Sequence, residues 1–420
     1  RMKKALVLLC MLAIVLSGAT VFAGSIDYLS NQSARYLMTF SRVGATDGAD
    51  IVTYNPAGTA FMAPGLTIDF STQTLFKPYS QDYAFTASAA ATTAKLSSSS
   101  DSYEQSEPTP VLPNLYAVYN FGQIGAGNLA INFQAGIVAG GGTLKWDDGT
   151  AGSTFALNGL SASLAGGAVT ELGANAAQGV FGPTKSTSLE VSSVYYALGL
   201  GVSYSLLDNM VAVSLGGRVV MPKRSLKIEG EYTLNSGTVA GEYEYDATGY
   251  TPIIGICVKP ITGLTIGLRY EFETDLEFEY SQESLDVNGA SAISAGYLKT
   301  GVTALLTKSG ISDGGKFNQN LPAILAAGAE YVVMPGLTVM AQGTYYFMKS
   351  ADLGNVYDSG QDTTTVIGEV NDLYNNGWEF SIGATYQVMP ELKVGAGFLY
   401  TSQSAKSDLF NTQYTILTTS

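Results

Sequence analysis

Histidine does not occur among the 420 residues. Every Ser-His or Cys-His nucleophile pair and every histidine metal site is thereby excluded. Cysteine occurs only as Cys10 and Cys257. Cys10 lies in an N-terminal stretch expected to be removed, so no intramolecular disulfide is expected, and no redox role is assigned to Cys257. Charge is scarce: charged residues make up 13 % of the chain, about half the usual share of a soluble domain. Basic residues are the scarcer sign, 21 against 35 acidic, for a net charge of −14, which disfavours nucleic acid as a partner. After the N-terminus no apolar run is long enough for a membrane helix. Neither a phosphate-cradling glycine loop nor a basic anion cluster is evident, so no nucleotide, metal or other cofactor is expected. An enzyme is not expected either.

Glycine and tyrosine are abundant instead, at 48 and 26 residues. A charge-poor chain without spanning helices points to a closed β-barrel. There, lipid-facing and lumen-facing residues alternate, so no single segment reads as very hydrophobic. The start of the chain reads as a secretory signal. Arg1, Lys3 and Lys4 supply a positive start, residues 5–15 an apolar stretch, and Val21-Phe22-Ala23 a small-x-small cleavage pattern before Gly24. An uncleaved anchor would need a longer stretch. Loss of residues 1–23 leaves a mature charge of about −17 and a chain exported to the bacterial outer membrane.

From residue 65 onward the pattern has period two. In residues 264–280 the even positions run Leu264, Ile266, Leu268, Tyr270, Phe272, Thr274, Leu276, Phe278, Tyr280. The odd positions run Thr265, Gly267, Arg269, Glu271, Glu273, Asp275, Glu277, Glu279. One face is greasy and the other largely ionic for a length no ordinary sandwich strand reaches. Strands are predicted near 65–76, 112–121, 128–138, 189–206, 210–222, 249–259, 263–280, 319–333, 337–348, 376–388 and 392–402. Their connections alternate in length. Long ones fall at 77–111, 139–188, 223–248, 281–318 and 349–375. Short ones fall at 122–127, 207–209, 260–262, 334–336 and 389–391. Long loops at one end and tight turns at the other mark an outer-membrane barrel. Tyr204, Tyr331 and Tyr386 each stand three residues before a short turn, the spacing of an interfacial aromatic girdle.

The lumen face expected from the alternation carries Asp69, Arg218, Arg269, Glu271, Glu330 and Glu379, with Ile253, Gly255 and Cys257. Buried charges must pair or stay wet. Arg218 and Arg269 are therefore expected to bridge to acids or to the N-terminal segment, with a ligand carboxylate as the other available partner. Residues 25–64 do not alternate. They carry small and polar residues and close on Asn55-Pro56-Ala57-Gly58, a compact turn former.

A signal peptide, a small-residue segment ending in Asp50-Ile51-Val52-Thr53-Tyr54-Asn55-Pro56-Ala57-Gly58, an immediate first strand and then long-loop hairpins resemble the FadL-type family. These are outer-membrane transporters of long-chain fatty acids and aromatic hydrocarbons. The repeated Tyr-x-Val-Met-Pro hairpins, at Tyr331 and Tyr386, are similar to the family but less specific. The resemblance spans essentially the whole chain. It implies an all-β, transmembrane antiparallel β-barrel of about fourteen strands plugged by an N-terminal hatch. The expected division is signal peptide 1–23, hatch 24–64 and barrel 65–420. Eleven strands are clear and a twelfth is expected at 414–417, so either the last two or three strands are missing or an even barrel of twelve closes.

The resemblance further implies that Asn55, Pro56 and Ala57, with Gly58, form the hatch turn sealing the lumen. It also implies a lateral opening at a kink in the third strand, here carrying Gly136, with Gly140 just after it. Glycine inside a strand often marks a bulge or bend. Candidate walls of a ligand groove among the loops are Phe155, Leu157, Leu160 and Leu164, the last three spaced for one face of a short helix. The expected activity is passive transport by a monomer in the lipid bilayer of long-chain fatty acids or other hydrophobic compounds, aromatic hydrocarbons included. Competing readings are a general diffusion porin, which needs no plug, and a surface adhesin on a barrel scaffold.

Overall fold

The computed structural model describes residues 32–76, 80–85, 99–105, 107–150, 153–154, 157–158, 182–234, 236–289, 299, 314–357, 366–402 and 406. An N-terminal segment comes first: helix α1 (Ala34–Thr39), helix α2 (Ile51–Tyr54) and a 3-10 helix over Pro56–Phe61. Among the described residues eighteen strands follow in chain order: β1 (Gly65–Leu75), β2 (Ser80–Phe85), β3 (Ser99–Glu104), β4 (Thr109–Ile124), β5 (Gly127–Trp146) and β6 (Thr184–Leu206). Next are β7 (Val211–Tyr232), β8 (Thr238–Asp246), β9 (Gly249–Ile261), β10 (Leu264–Glu271), β11 (Glu277–Asn288) and β12 (Lys316–Asn318). The last are β13 (Ile324–Met334), β14 (Leu337–Tyr346), β15 (Asn355–Tyr357), β16 (Val366–Glu369), β17 (Gly377–Met389) and β18 (Leu392–Thr401).

Eleven of these form one antiparallel wall in the order β1-β4-β5-β6-β7-β9-β10-β13-β14-β17-β18. They are the eleven expected from the alternation; the twelfth, at 414–417, and the signal at 1–23 lie outside the described residues. Among the described residues β1 and β18 are the ends of this path and are not paired with each other. The short connections sit where they were expected, with positive-φ Gly263 (φ 83) and Gly336 (φ 84) making two of the tight turns.

The outward face is apolar from one end of the described wall to the other: Leu66, Ile68 and Phe70 on β1, Leu198 and Leu200 on β6, Phe380 and Ile382 on β17 are all exposed. A water-soluble protein rarely exposes apolar patches beyond a few hundred Å². Lipid is the cover such a band requires. Tyr331 and Tyr386 line up beside the short turns through Leu264↔Tyr331, Tyr331↔Val339 and Leu337↔Tyr386. A second ring of aromatics closes the band at the other edge, with Tyr270–Phe272 at 4.8 Å, Tyr345–Phe347 at 4.9 Å and Trp378–Tyr400 at 5.2 Å between centroids. Eight residues separate Trp378 from Tyr386 on β17. At about 3.3 Å per residue and a tilt near 40°, they span about 20 Å along the membrane normal, close to the usual height of the band.

Beyond the second ring the chemistry inverts. On β6, Leu198, Leu200 and Val202 face out, whereas nearer the long loops Leu189 and Tyr195 are buried. The strand keeps its geometry; the sequence moves its greasy residues to the other parity, because water replaces lipid outside. Residues 264–280 reach the same end differently, and the expectation of one unbroken strand is corrected there. β10 stops at Glu271, the chain bends through an isolated bridge between Thr274 and Leu321, and β11 pairs with β8 and β12. Phe272 is exposed, but Leu276, Phe278 and Tyr280 are buried, so Glu277 and Glu279 point to water and not into the lumen. The apolar parity stays constant through 264–280, but the bend at 272–276 exchanges the faces.

The long connections are also more ordered than expected. The stretch 223–248 is the end of β7 and a returning strand, β8, in register from Lys223↔Asp246 to Glu231↔Thr238. Residues 139–146 and 184–188 continue β5 and β6. The predicted strand at 319–333 starts only at Ile324. Two-stranded ribbons β2–β3 and β15–β16 occupy parts of two further connections.

Residues 32–64 lie inside the curled wall. Their polar groups bond to Asp69 on β1, Asn120 on β4, Gln134 on β5, Ser203 on β6, the Ile256 carbonyl on β9, Gln342 on β14, Ser381 on β17 and Lys393 on β18. One short segment can touch strands from both ends of the path only if the sheet wraps around it.

Candidate functional site

Asn55 organises the N-terminal segment. Its Nδ2 donates to the Val43 carbonyl (3.1 Å) and to the Ile256 carbonyl of β9 (3.0 Å). Its Oδ1 accepts from the Ala57 amide, capping the 3-10 helix that Pro56 opens. Asn55, Pro56, Ala57 and Gly58 are all buried. The turn is fastened by Ser203 Oγ donating to the Pro56 carbonyl (2.7 Å) and by Asn120 Nδ2 donating to the Thr59, Ala60 and Met62 carbonyls. Cys257 faces inward as expected, packed with Ala57, Ala60 and Ala212.

The wall is hollowed to take this segment. A Cβ on Gly267 would collide with the Val43 carbonyl and Asn55 Nδ2, and one on Gly383 would collide with the Thr39 carbonyl. Glycines on inward positions of β10 and β17 thus let the backbone of the N-terminal segment approach the wall backbone directly.

Charge holds the segment's fold. Arg42, buried, donates to both carboxylate oxygens of Asp50 (3.0 and 2.7 Å) and to Asp47 (2.7 Å). Burial acts against its charge, but Asp50 and then Asp47 more than offset this, so its pKa lies above the ordinary arginine value. Burial likewise acts to raise Asp47, yet Arg42, Lys393 and Arg35 outweigh it and hold the carboxyl at about 2. Asp69 accepts from the Ala49 (2.6 Å) and Asp50 (3.2 Å) amides at the start of α2 and pairs with Arg35 (3.4 Å).

A cavity of about 80 Å³ lies between this segment and the wall, with Tyr36, Thr53 and Tyr54 on one side and Gln134, Arg218, Arg269 and Tyr346 on the other. It has room for a few waters but is too small for a long acyl chain unless something moves. Arg218 and Arg269 are buried and both pair with Glu271, which stands on the same stretch of wall and not across the lumen. Neither Arg218 nor Arg269 has a partner for its Nε among the described residues. Glu379 accepts from Tyr346 (3.0 Å) and Thr401 (3.3 Å). Glu330 also faces in, where Gly44 packs against its backbone amide. The four residues do not converge on one point: Arg218, Arg269 and Glu379 line the cavity and Glu330 lies beside Gly44.

β4 and β5 part company at Gly136. Asn114↔Gly136 is their last pair; beyond it, among the described residues, β4 pairs only with β1 and β5 only with β6. A Cβ on Gly136 would collide with the Asn114 side chain and lie 3.0 Å from the Pro113 carbonyl. Two register shifts follow on β5, between Ile137 and Ala139 and between Ala139 and Gly142, with Gly140 at φ 93 inside the second. Gly136, Ile137 and Val138 reach the cavity.

Of the expected groove residues, Phe155, Leu160 and Leu164 lie outside the described residues. Leu157 is buried against Tyr232 and Val239, and its carbonyl accepts from the Tyr232 hydroxyl (2.9 Å). At the long-loop end the interior holds Trp146, Leu189, Leu226, Tyr243 and Tyr280 in one apolar cluster. Tyr36 and Tyr54 stack at 5.0 Å beside the cavity and were not anticipated. Nor were Gln134, Tyr346 or the Asn120–Ser203 clasp. Asn114, Asn120, Asn132 and Gln134 are polar residues at buried inward positions of β4 and β5, a signal in the sequence for such contacts.

An antiparallel wall with an apolar outer band between aromatic rings, tight turns at one end and long connections at the other, is the construction of an outer-membrane β-barrel. The family model described as "Outer membrane protein transport protein (OMPP1/FadL/TodX)" matches residues 15–412. The chain belongs to this family, whose members are transport proteins of the outer membrane and not enzymes. Among solved structures it is similar to a Pseudomonas aeruginosa FadL homologue at 14 % identity, over 90 % of this chain and 82 % of that one, with a TM-score of 0.60. The Ralstonia pickettii toluene transporter TbuX is similar at 14 % identity, over 92 % and 88 %, with a TM-score of 0.50. A mutant of the monoaromatic hydrocarbon channel TodX follows at 15 % identity, over 91 % and 86 %, with a TM-score of 0.51. Among curated proteins compared by sequence, none matches.

Proposed function

We propose that the protein carries hydrophobic molecules, long-chain fatty acids or aromatic hydrocarbons, passively across the outer membrane. Residues 1–23 direct export, residues 24–64 act as a hatch, and a monomeric barrel opens sideways at β5. The observation that carries this reading is the pairing of a filled lumen with a parted wall. Hydrogen bonds fasten residues 32–64 to strands across the barrel, while β4 and β5 separate beyond Gly136 beside the inner cavity. An apolar solute has little to gain from a lumen lined by Arg218, Arg269, Glu271 and Glu379. It gains about 0.8 kcal/mol per methylene by moving into hydrocarbon, which lies just outside the gap.

Capture is assigned to the long-loop end. Phe155, Leu157, Leu160 and Leu164 are the candidate groove residues, and the apolar cluster around Trp146 and Tyr280 gives the interior there the same character. Arg218 and Arg269 line the inner cavity beside Glu271 and Glu379, and their guanidinium groups are what a carboxylate headgroup would meet there. A general porin is the poorer reading because the lumen cross-section is occupied. The reading is tested by uptake of labelled oleate and toluene in cells with and without the gene, and with Gly136→Val. Uptake of at least one compound must depend on the gene and fall in the variant. Equal uptake of every hydrophobic compound in all strains, or large steady conductance in planar bilayers, defeats it.

A further inference from the structure

The lipid-facing wall carries a groove that the transport path does not use. On β7 the outward position Gly217 has no side chain, and Phe133, Leu198, Leu200, Val219, Tyr250 and Pro252 surround the resulting hollow. Its volume is about 470 Å³, within the range of about 300–1,000 Å³ usual for small-molecule sites. The floor is backbone. Gly216 is confined there, because a Cβ would lie 2.8 Å from the Leu200 carbonyl and 2.9 Å from Gly201 Cα. Pro252 stands opposite Gly217 in the β7–β9 register, and its carbonyl accepts from the Phe272 amide on the other side, so the missing N–H takes no bond from the β7–β9 ladder.

We propose that this groove binds one acyl chain of a membrane phospholipid. The hollow lies in the apolar band that the bilayer covers, so hydrocarbon is the medium at its mouth. Leu198, Leu200 and Tyr250 stand exposed at its rim, and every outward side chain lining it is apolar apart from the tyrosine hydroxyl. That hydroxyl belongs to a residue level with the aromatic ring near the long-loop end: Phe272 donates its amide to the Pro252 carbonyl, two residues from Tyr250. A chain lying along Gly217 therefore has its headgroup end beside a phenol. A second lateral exit is the weaker reading of the same hollow. The β7–β9 ladder runs without a register shift from Val211↔Val258 to Val220↔Gly249, and separating it in hydrocarbon would strip backbone groups of their partners. The seated chain lies one wall thickness from Arg218, which lines both this groove and the inner cavity.

The test is native mass spectrometry of the full chain, released by mild detergent from phosphatidylethanolamine–phosphatidylglycerol vesicles. Folded wild-type barrel should carry one retained phospholipid. Gly217→Leu fills the hollow from the floor and Leu200→Trp fills it from the rim, without touching backbone. Bilayer hydrocarbon already surrounds the chain, so packing contact with the hollow is what holds it, and either filled variant should lose the retained lipid. Phe398→Trp, on the outward face of β18, should leave retention unchanged. A heat-dependent shift in gel mobility identifies the folded species in each sample. Equal retention in wild type and both filled variants overturns the proposal. So does displacement of the lipid by oleate or toluene, which would give the groove to a transported solute, or a dimer lost on filling, which would give it to a second copy of the chain. None of these outcomes depends on uptake, so the transport reading stands or falls separately.

Discussion

Replacing Asn55 by alanine should unfasten the N-terminal segment while leaving the barrel standing. The substitution removes two donated hydrogen bonds, to the Val43 and Ile256 carbonyls, and the cap on the Ala57 amide. Loss of the cap costs about 1 kcal/mol. Leaving buried carbonyl groups short of a partner costs a further 1–3 kcal/mol or so. A total of about 3 kcal/mol raises the undocked population about a hundredfold. The wall keeps its ladder bonds, so folding of the barrel should be unaffected. Single-channel recording in planar bilayers should show openings about a hundred times as frequent as in wild type, and protease added from the short-turn side should cut residues 32–64 sooner. Gly267→Ala attacks the same contact from the wall, since its Cβ would strike the Val43 carbonyl and Asn55, and should give the same phenotype. Asn55→Asp retains the acceptor for Ala57 but turns an oxygen toward two carbonyls, so it should be no milder than alanine. Unchanged opening frequency and unchanged protease protection in all three variants would refute the assignment of Asn55 as the fastening point.

Three further outcomes are expected. Glu271→Gln leaves Arg218 and Arg269 buried without their shared carboxylate, which costs about 3–5 kcal/mol; the urea midpoint of the folded band on gels should fall, and an unchanged midpoint would show that the pair is solvated. Asp47 is held at about 2 against an ordinary 3.8, so its contribution is complete above pH 4 and is lost as the pH falls through 2. Because its side chain is 46 % exposed, solvent screens much of that contribution, and the expected sign is a modest rise in protease cutting of the N-terminal segment over this window, absent in Asp47→Asn. Ile382→Arg places a charge on the lipid face and should lower the stability of the barrel in vesicles by about 2–4 kcal/mol, with little effect if that face met water instead.

The eleven wall strands, their tight turns and the outward band were legible in the sequence because lipid and lumen impose opposite chemistry on neighbouring residues. That pressure writes a period of two wherever the membrane lies outside. Asn55-Pro56-Ala57-Gly58 was legible as a turn, since proline and asparagine restrict the backbone locally, and Arg218, Arg269 and Cys257 were placed inward by parity alone. Parity misled where the solvent changed. Leu276, Phe278 and Tyr280 continue the greasy positions of β10, yet face the interior, because a bend reverses the strand's faces where water replaces lipid. The returning strand β8 was hidden for the same reason.

What only the tertiary structure decided is who meets whom across the barrel. That Asn55 bonds to Ile256, that Gly267 must be glycine to admit Val43, and that Arg218 and Arg269 share Glu271 are contacts between strands distant in the chain. Local preference carries no record of such distances. The alternation of side chains is set residue by residue by the medium on each side of the wall; the fit of the N-terminal segment is set by the curling of the sheet around it.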